Sequence, residues 1–293
     1  MFNRLILSGG GVKGGLYVGM IKYLEDSSVI FEYLNEVVGT SIGALIGLTI
    51  TLGYTADQLK ELFFSIDFEK MKDPALSNLD IGYGFASGDL LNKMIQDIIT
   101  GKGYSKDITL SELYNQTDIS LVTCAYNMNQ KRHTFFDRKK YPDIPAFLAV
   151  RMSMNIPLLF CVVKYQGDLY IDGGTVCNLP VRYYTEMYPD HLQLQKIMDT
   201  TLSVAFEEIN YHDNTEINSF DKFLYALLKS TFHTIESKDK DFIKCQGYSL
   251  LILKSNLVST GNFNLSEAQK TEMFNTGFQC TKEYILDLLK KHK

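Results

Sequence analysis

Ser41 is the residue whose surroundings point most directly to chemistry. It lies between Gly39 and Gly43 in a Gly-x-Ser-x-Gly segment that follows a short apolar run. Such a segment is typical of a nucleophile elbow, in which a sharp turn from a strand into a helix exposes the serine hydroxyl. The glycines permit the tight turn because they carry no side chains that could collide with neighbouring strands. We therefore predict that Ser41 is a nucleophile.

Two further segments could supply the rest of a hydrolytic site. Upstream, the apolar residues 5–7 lead into a run of glycines that opens a helix, and the bare amides of such a loop can hold an anion. Downstream, Asp172 ends another apolar run and is followed by Gly173 and Gly174. An Asp-Gly pair alone indicates a plain turn. Together, however, the three segments offer a nucleophile, an oxyanion hole and a base.

The order of these segments resembles the patatin-like phospholipases, whose pattern is a Gly-Gly-Gly-x-Arg/Lys-Gly loop, then Gly-x-Ser-x-Gly, then Asp-Gly-Gly/Ala. Residues 153–160 look like the family's Ser-x-x-x-Pro-x-x-Phe block, and residues 178–180 like its Asn-x-Pro. The resemblance thus covers residues 4–182. It implies Ser41 as the nucleophile and Asp172 as its only side-chain partner. It also implies an oxyanion hole in the glycine loop, whose candidate residues are Gly9, Gly10, Gly11, Lys13 and Gly14.

The activity implied by the resemblance is that of a lipid acyl hydrolase. Its substrates would be fatty-acyl esters of phospholipids or lysophospholipids, and it would use no cofactor. The sequence contains no Asp-x-Asp-x-Asp-Gly calcium loop, so we expect no metal to be required.

A Ser-His-Asp triad is the main alternative mechanism. α/β-Hydrolases also carry Gly-x-Ser-x-Gly, and in their sequences the acid and then the histidine follow the serine. His212 and His233 both follow Asp172, but neither lies in a motif. We therefore favour a Ser-Asp dyad.

The glycine loop also permits a different class of function. Gly9, Gly11 and Gly14 satisfy the Gly-x-Gly-x-x-Gly fingerprint of dinucleotide binding, and Glu32 and Glu36 lie near the expected acidic spacing. This hypothesis explains one segment, whereas the hydrolase hypothesis explains three. A third alternative is a catalytically inactive lipid-binding protein, which the presence of both the serine and the aspartate disfavours.

Alternation of helical and strand-like segments predicts the fold class. Helical periodicity extends over residues 14–26 and 54–72, and strand-like segments include residues 119–125, 202–206 and 248–253. We predict an α/β fold of three layers, with an open, mostly parallel sheet between helices. Catalytic residues are then expected at the carboxyl ends of the strands. The length and the 45% apolar composition favour one large domain over residues 1–293, although they also allow two smaller domains. The resemblance implies that this single domain is patatin-like.

Two apolar regions allow more than one interpretation. Residues 74–88 mix glycine, serine and apolar side chains, and they could form either a lid that meets a lipid surface or a packed surface loop. Residues 220–235 carry a phenylalanine-rich stripe at helical spacing, for which packing in the core is the favoured interpretation and an acyl-chain pocket the alternative.

Composition restricts the partners and the compartment. A net charge of −5 argues against nucleic acid as a partner. Five widely spaced cysteines, with no pair at zinc or redox spacing, indicate a reduced compartment. We find neither a secretory signal nor an apolar stretch of the roughly 18 residues that a membrane span requires. We therefore expect a cytoplasmic protein that contacts membranes transiently.

Overall fold

The computed structural model describes residues 2–27, 33–67, 70, 82–208, 217–255 and 264–291. The described strands form one sheet of eight strands and a separate pair. The strands are β1 (Arg4–Leu7), β2 (Glu36–Thr40), β3 (Gly84–Ala86), β4 (Ser120–Asn127), β5 (Arg132–Phe136), β6 (Leu158–Phe160), β7 (Val163–Tyr165), β8 (Asp168–Asp172), β9 (Thr201–Glu208) and β10 (Leu250–Ser255).

The helices occupy the segments between the strands. They are α1 (Gly14–Asp26), α2 (Ile42–Thr51), α3 (Ala56–Ser65), α4 (Asp89–Thr100), α5 (Leu110–Thr117), α6 (Ala146–Ser153), α7 (Arg182–Met187), α8 (His191–Met198), α9 (Phe220–Cys245) and α10 (Glu267–Lys291). Helix α1 coincides with the predicted helix over residues 14–26, whereas α3 is shorter than the helix predicted over residues 54–72. None of the described helices is both long and apolar enough to cross a membrane.

The main sheet has a parallel part and an antiparallel part. Its strand order is β10-β9-β1-β2-β4-β8-β7, with β5 paired to β4. The pairs β10–β9, β9–β1, β1–β2 and β2–β4 are parallel. The pairs β4–β5, β4–β8 and β8–β7 are antiparallel. Tight connections join β4 to β5 and β7 to β8, as antiparallel neighbours allow. The prediction of a three-layer α/β fold with a mostly parallel sheet is confirmed.

Both faces of the sheet are covered. Leu5 and Leu7 on β1 belong to one apolar core, which includes residues of α1, α2 and α6, whereas Ile6 belongs to a second core with residues of α7 and α8. Val37 and Val38 on β2 are divided in the same way. Successive residues of a strand point to opposite faces, so this division buries the sheet between two helical layers.

The phenylalanine-rich stripe on α9 is less buried than the sequence indicates. Phe223 is 52% exposed and Leu227 is 53% exposed, whereas Ile243 near the end of the same helix is completely buried. The favoured prediction of a core-facing stripe is therefore wrong for these residues of the first half of α9. Helical periodicity defines an apolar face, but it does not specify a partner that covers that face.

Residues 74–81 of the predicted loop lie outside the described residues. Within the remainder, Gly84 and Ala86 belong to β3, which pairs in parallel with β6. Residues 84–86 of the predicted loop therefore form a short strand.

Candidate active site

Ser41 lies where β2 ends and α2 begins. Its backbone has φ 55° and ψ −124°, a strained conformation for a residue with a side chain. A methyl group on Gly39 would overlap the main chain of Gly43, and one on Gly43 would overlap the main-chain oxygens of Leu7 and Ser8. The strand and the helix therefore approach more closely than side chains would allow, which explains both glycines of the predicted elbow.

Asp172 ends β8 and is only 2% exposed. The Ser41 side chain acts on its carboxylate and lowers the pKa of Asp172, and the main-chain N–H of Gly174 donates a 2.7 Å hydrogen bond to the same carboxylate. Its own main-chain N–H donates to the Asn155 carbonyl oxygen at 2.8 Å. The fold therefore brings the predicted nucleophile and the predicted base into direct contact.

The environment of Asp172 favours a base that titrates near neutral pH. Burial raises the pKa of Asp172 to about 7, although the hydrogen bonds from Ser41 and Gly174 act in the opposite direction by stabilising the carboxylate. A general base is most effective when its pKa lies near the working pH. Asp172 is thus a stronger base than a solvated aspartate.

The two glycines after Asp172 allow its turn to lie directly against the sheet. A methyl group on Gly173 would overlap the Cys124 carbonyl oxygen of β4. One on Gly174 would come within 3.0 Å of an Asp172 carboxylate oxygen and 3.1 Å of the Phe232 ring on α9. Larger residues at these two positions would displace the carboxylate.

The glycine loop follows β1 and lies beside Ser41. A methyl group on Gly9 would come 3.2 Å from the Ser41 Cβ, and one on Gly10 would overlap the Phe206 ring. Gly11 has φ 56°, a backbone conformation that favours glycine. The loop therefore requires glycine for close packing and for its backbone conformation.

Lys13 and Gly14 connect this loop to α1 and to the elbow helix. Lys13 is only 5% exposed, and its Nζ lies 5.7 Å from the centroid of the Phe206 ring. Lys13 is thus a buried cation beside the loop and not a surface lysine. A methyl group on Gly14 would come 3.2 Å from the Ile42 side chain of α2. Both residues belong to the packed support of the site.

Ser153 is a buried residue that contacts Ser41, and the sequence indicates it only as the first residue of the 153–160 block. Its hydroxyl oxygen accepts a 2.9 Å hydrogen bond from the main-chain N–H of Ser41. The same hydroxyl donates a 2.6 Å hydrogen bond to the Cys124 carbonyl oxygen. Because Gly173 lies directly on that carbonyl, Ser153 connects the backbone of Ser41 to the strand that supports Asp172.

In the part of the chain that the structure describes, no histidine is among the groups that act on the Asp172 carboxylate. His212 lies outside the described residues. His233 is an exposed residue of α9, and it lowers the pKa of Glu236. The hydrogen-bond partners that act on the Asp172 carboxylate are Ser41 and Gly174.

The acidic residue of the dinucleotide alternative lies at the wrong end of its strand. Glu36 is the first residue of β2, whereas Ser41 follows the last. Its carboxylate accepts a 2.7 Å hydrogen bond from the Tyr184 hydroxyl, and burial raises its pKa. Cofactors bind at the carboxyl ends of parallel strands, so Glu36 cannot reach a ribose held by the glycine loop. Glu32 lies outside the described residues.

Comparison with known proteins identifies the protein family. The model of the patatin-like phospholipase family matches residues 5–184, and the chain belongs to this family. The resemblance seen in the sequence is therefore confirmed.

Individual proteins are also similar to this chain. An uncharacterized protein of Acanthamoeba polyphaga mimivirus is 28% identical over 98% of this chain and 94% of its own length. A probable lipid hydrolase of Invertebrate iridescent virus 6 is 27% identical over 61% of this chain and 62% of its own length. The crystal structure of VipD from Legionella pneumophila is similar with a TM-score of 0.68 and 16% identity, over 98% of this chain and 67% of that one. At this identity, VipD shows a shared fold.

Proposed function

We propose that the chain hydrolyses fatty-acyl esters of phospholipids or lysophospholipids with a Ser41–Asp172 dyad. The observation that carries the proposal is that the fold places the strained Ser41 beside the buried Asp172 carboxylate, on which the Ser41 side chain acts. Membership of the patatin-like phospholipase family and similarity to a probable lipid hydrolase support a lipid ester as the substrate.

In the first half of the reaction, Asp172 accepts the proton from the Ser41 hydroxyl as its oxygen attacks the acyl carbonyl carbon. Main-chain N–H groups around Gly10 and Gly11 stabilise the negative oxygen of the tetrahedral intermediate. Each such donor contributes on the order of 3 kcal/mol to transition-state stabilisation. The intermediate then collapses, and the alcohol part of the lipid leaves with the proton from Asp172. Ser41 retains the acyl group as an ester.

Water completes the reaction in the second half. Asp172 accepts a proton from a water molecule as the water attacks the ester carbonyl carbon of acylated Ser41. The same glycine loop stabilises the second negative oxygen. Collapse of this intermediate returns the proton to Ser41 and releases the fatty acid. Every proton transfer in this scheme uses Asp172, so no histidine is needed.

We further propose that the protein, acting as a single domain, contacts membranes transiently through the exposed apolar side chains of α9. Phe223 and Leu227 are more than half exposed, and Phe232 on the same helix lies against Gly174, two residues from the base. Phe223 and Leu227 are four residues apart and share one face of α9, so a membrane can receive both side chains at once.

The proposal is tested by measuring fatty acid released from phosphatidylcholine vesicles and from lysophosphatidylcholine micelles by mass spectrometry. We expect the wild-type protein to release fatty acid from at least one of the two lipids. The Ser41→Ala variant should release none above background, because it lacks the attacking oxygen. Ser230→Ala, at an exposed serine of α9, is the matched control and should retain wild-type turnover. A wild-type protein inactive on both lipids, or an active Ser41→Ala variant, would contradict the proposal.

A further inference from the structure

The second half of helix α9 contacts two segments that flank the glycine loop, residues 178–179 and residue 206. We propose that Asp239 on this helix is a positioning residue that holds the loop in the conformation required for oxyanion stabilisation. The inference rests on the proposed function of the Ser41 site. Asp239 lies beyond residues 5–184, the part of the chain that the family model matches.

The first step of the argument is a chain of hydrogen bonds from Asp239 to the loop. Asp239 is 5% exposed, and its Oδ2 accepts a 3.2 Å hydrogen bond from the main-chain N–H of Leu179. It also accepts a hydrogen bond from the main chain of Asn178. The Asn178 carbonyl oxygen in turn accepts from the Gly9 N–H at 3.0 Å, and the Asn178 side-chain amide donates to the Gly9 carbonyl at 3.2 Å. Both polar groups of the Gly9 main chain are therefore bound to a residue that Asp239 holds.

A second set of contacts from the same helix reaches the opposite side of the loop. Glu236 accepts a 3.3 Å hydrogen bond from the main-chain N–H of Phe206, and Lys240 donates a 2.9 Å hydrogen bond to the Phe206 carbonyl. The Phe206 ring fills the space beside Gly10, where a methyl group would overlap it. Helix α9 thus fixes the main chain on both sides of the loop.

The choice of charged side chains for these contacts requires an explanation. Burial raises the pKa of Asp239 to about 6 and also raises the pKa of Glu236, which shows that the site disfavours their charges. A neutral amide could satisfy the same N–H groups at a lower desolvation cost. Ionised acceptors, however, make stronger and more directional hydrogen bonds to N–H groups. That rigidity matters where a displacement of about 1 Å in a catalytic group can reduce the rate about 100-fold.

The test compares three variants by steady-state kinetics on a soluble short-chain ester and by inhibition with a trifluoromethyl ketone. This ketone forms a tetrahedral adduct with a serine nucleophile and places an oxyanion in the hole, so its inhibition constant reports transition-state binding. Asp239→Ala removes both hydrogen bonds, and Asp239→Asn retains a weaker acceptor. The matched control is Asp241→Asn, at an exposed position of the same helix.

We expect Asp239→Ala to lower kcat/KM by about 100-fold and to raise the inhibition constant of the ketone by the same factor, with KM changed less than about twofold. Asp239→Asn should recover part of the loss, and Asp241→Asn should match the wild type. If Asp239→Ala does not fold, the Asp239→Asn variant tests the proposal by itself. We then expect kcat/KM to decrease about tenfold and the inhibition constant of the ketone to increase about tenfold.

Folded Asp239 variants with wild-type kcat/KM and wild-type ketone inhibition would overturn the positioning role while leaving the proposed function intact. A lower melting temperature without a change in either quantity would also overturn it, because the residue would then be only structural. Failure of the proposed function has a different signature, since the wild-type protein would then neither hydrolyse the ester nor bind the ketone.

Discussion

The tight turn that carries Ser41 depends mainly on residue types next to it in the sequence, whereas the burial and position of Asp172 depend largely on distant segments. The elbow depends on Gly39 and Gly43, each two residues from Ser41. Asp172 is held through the Asn155 carbonyl and lies on a turn packed against β4, and burial sets its proton affinity. The turn of the proposed nucleophile is thus encoded mainly by local residues, while the proton affinity of the proposed base results from the assembled fold.

The largest effect should come from removing the base without changing its shape. Asp172→Asn retains a side chain of the same size but cannot accept the Ser41 proton at neutral pH. We expect turnover to fall by at least about 1,000-fold, measured as fatty acid release from lysophosphatidylcholine. Circular dichroism provides the control for folding. A folded variant that retains a tenth of wild-type turnover would show that Asp172 is not the base.

An intermediate effect should follow from breaking the connection between the two regions. Ser153→Ala removes the acceptor of the Ser41 N–H, and we expect a loss of about 10-fold to 100-fold in kcat because the elbow loses its support. The control is Thr123→Val. It removes another buried hydroxyl, which lies on β4 next to Cys124 and donates to the Ala149 carbonyl oxygen. Equal kinetic losses in the two variants would indicate general destabilisation and not a specific connection.

The dependence on pH should report the raised pKa of Asp172. The reaction needs the ionised carboxylate, so activity should be constant above the pKa of about 7 and should decrease below it. We expect kcat/KM to decrease by about fivefold between pH 7 and pH 6 and by about tenfold for each further pH unit below that. The measurement is a pH profile on a neutral ester. A plateau that extends down to pH 5 would mean that burial does not raise this pKa.

The smallest effect is expected at the histidine of the triad alternative. His233→Ala should change turnover by less than about twofold, because Asp172 performs every proton transfer in the proposed reaction. Steady-state hydrolysis by the folded variant is the measurement. A large decrease in kcat would restore a Ser-His-Asp mechanism.

The same contrast explains what the sequence could predict. The elbow, the glycine loop and the Asp-Gly-Gly turn are short segments with local backbone requirements, so their residue types reveal them. The boundaries of α1 can also be predicted from the sequence, because residues 14–26 carry a continuous helical pattern.

Contacts between distant segments could not be predicted in this way. Ser153, Asn178 and Asp239 support the site through hydrogen bonds to main-chain groups far along the chain. A residue of almost any type can offer its main chain as a hydrogen-bond partner, so a single sequence does not indicate which side chain and which main-chain group are paired. The exposure of Phe223 and Leu227 was also hidden, because their helical spacing is the same whether or not a partner covers them.

The central claim is that Ser41 is the nucleophile and that Asp172 activates it. The most direct measurement is fluorophosphonate labelling followed by mass spectrometry of the digested protein. The account predicts one modified residue, Ser41, with labelling strongly slowed in Asp172→Asn and unchanged in His233→Ala. Absence of labelling in the wild type, labelling at another serine, or undiminished labelling of Asp172→Asn would contradict it.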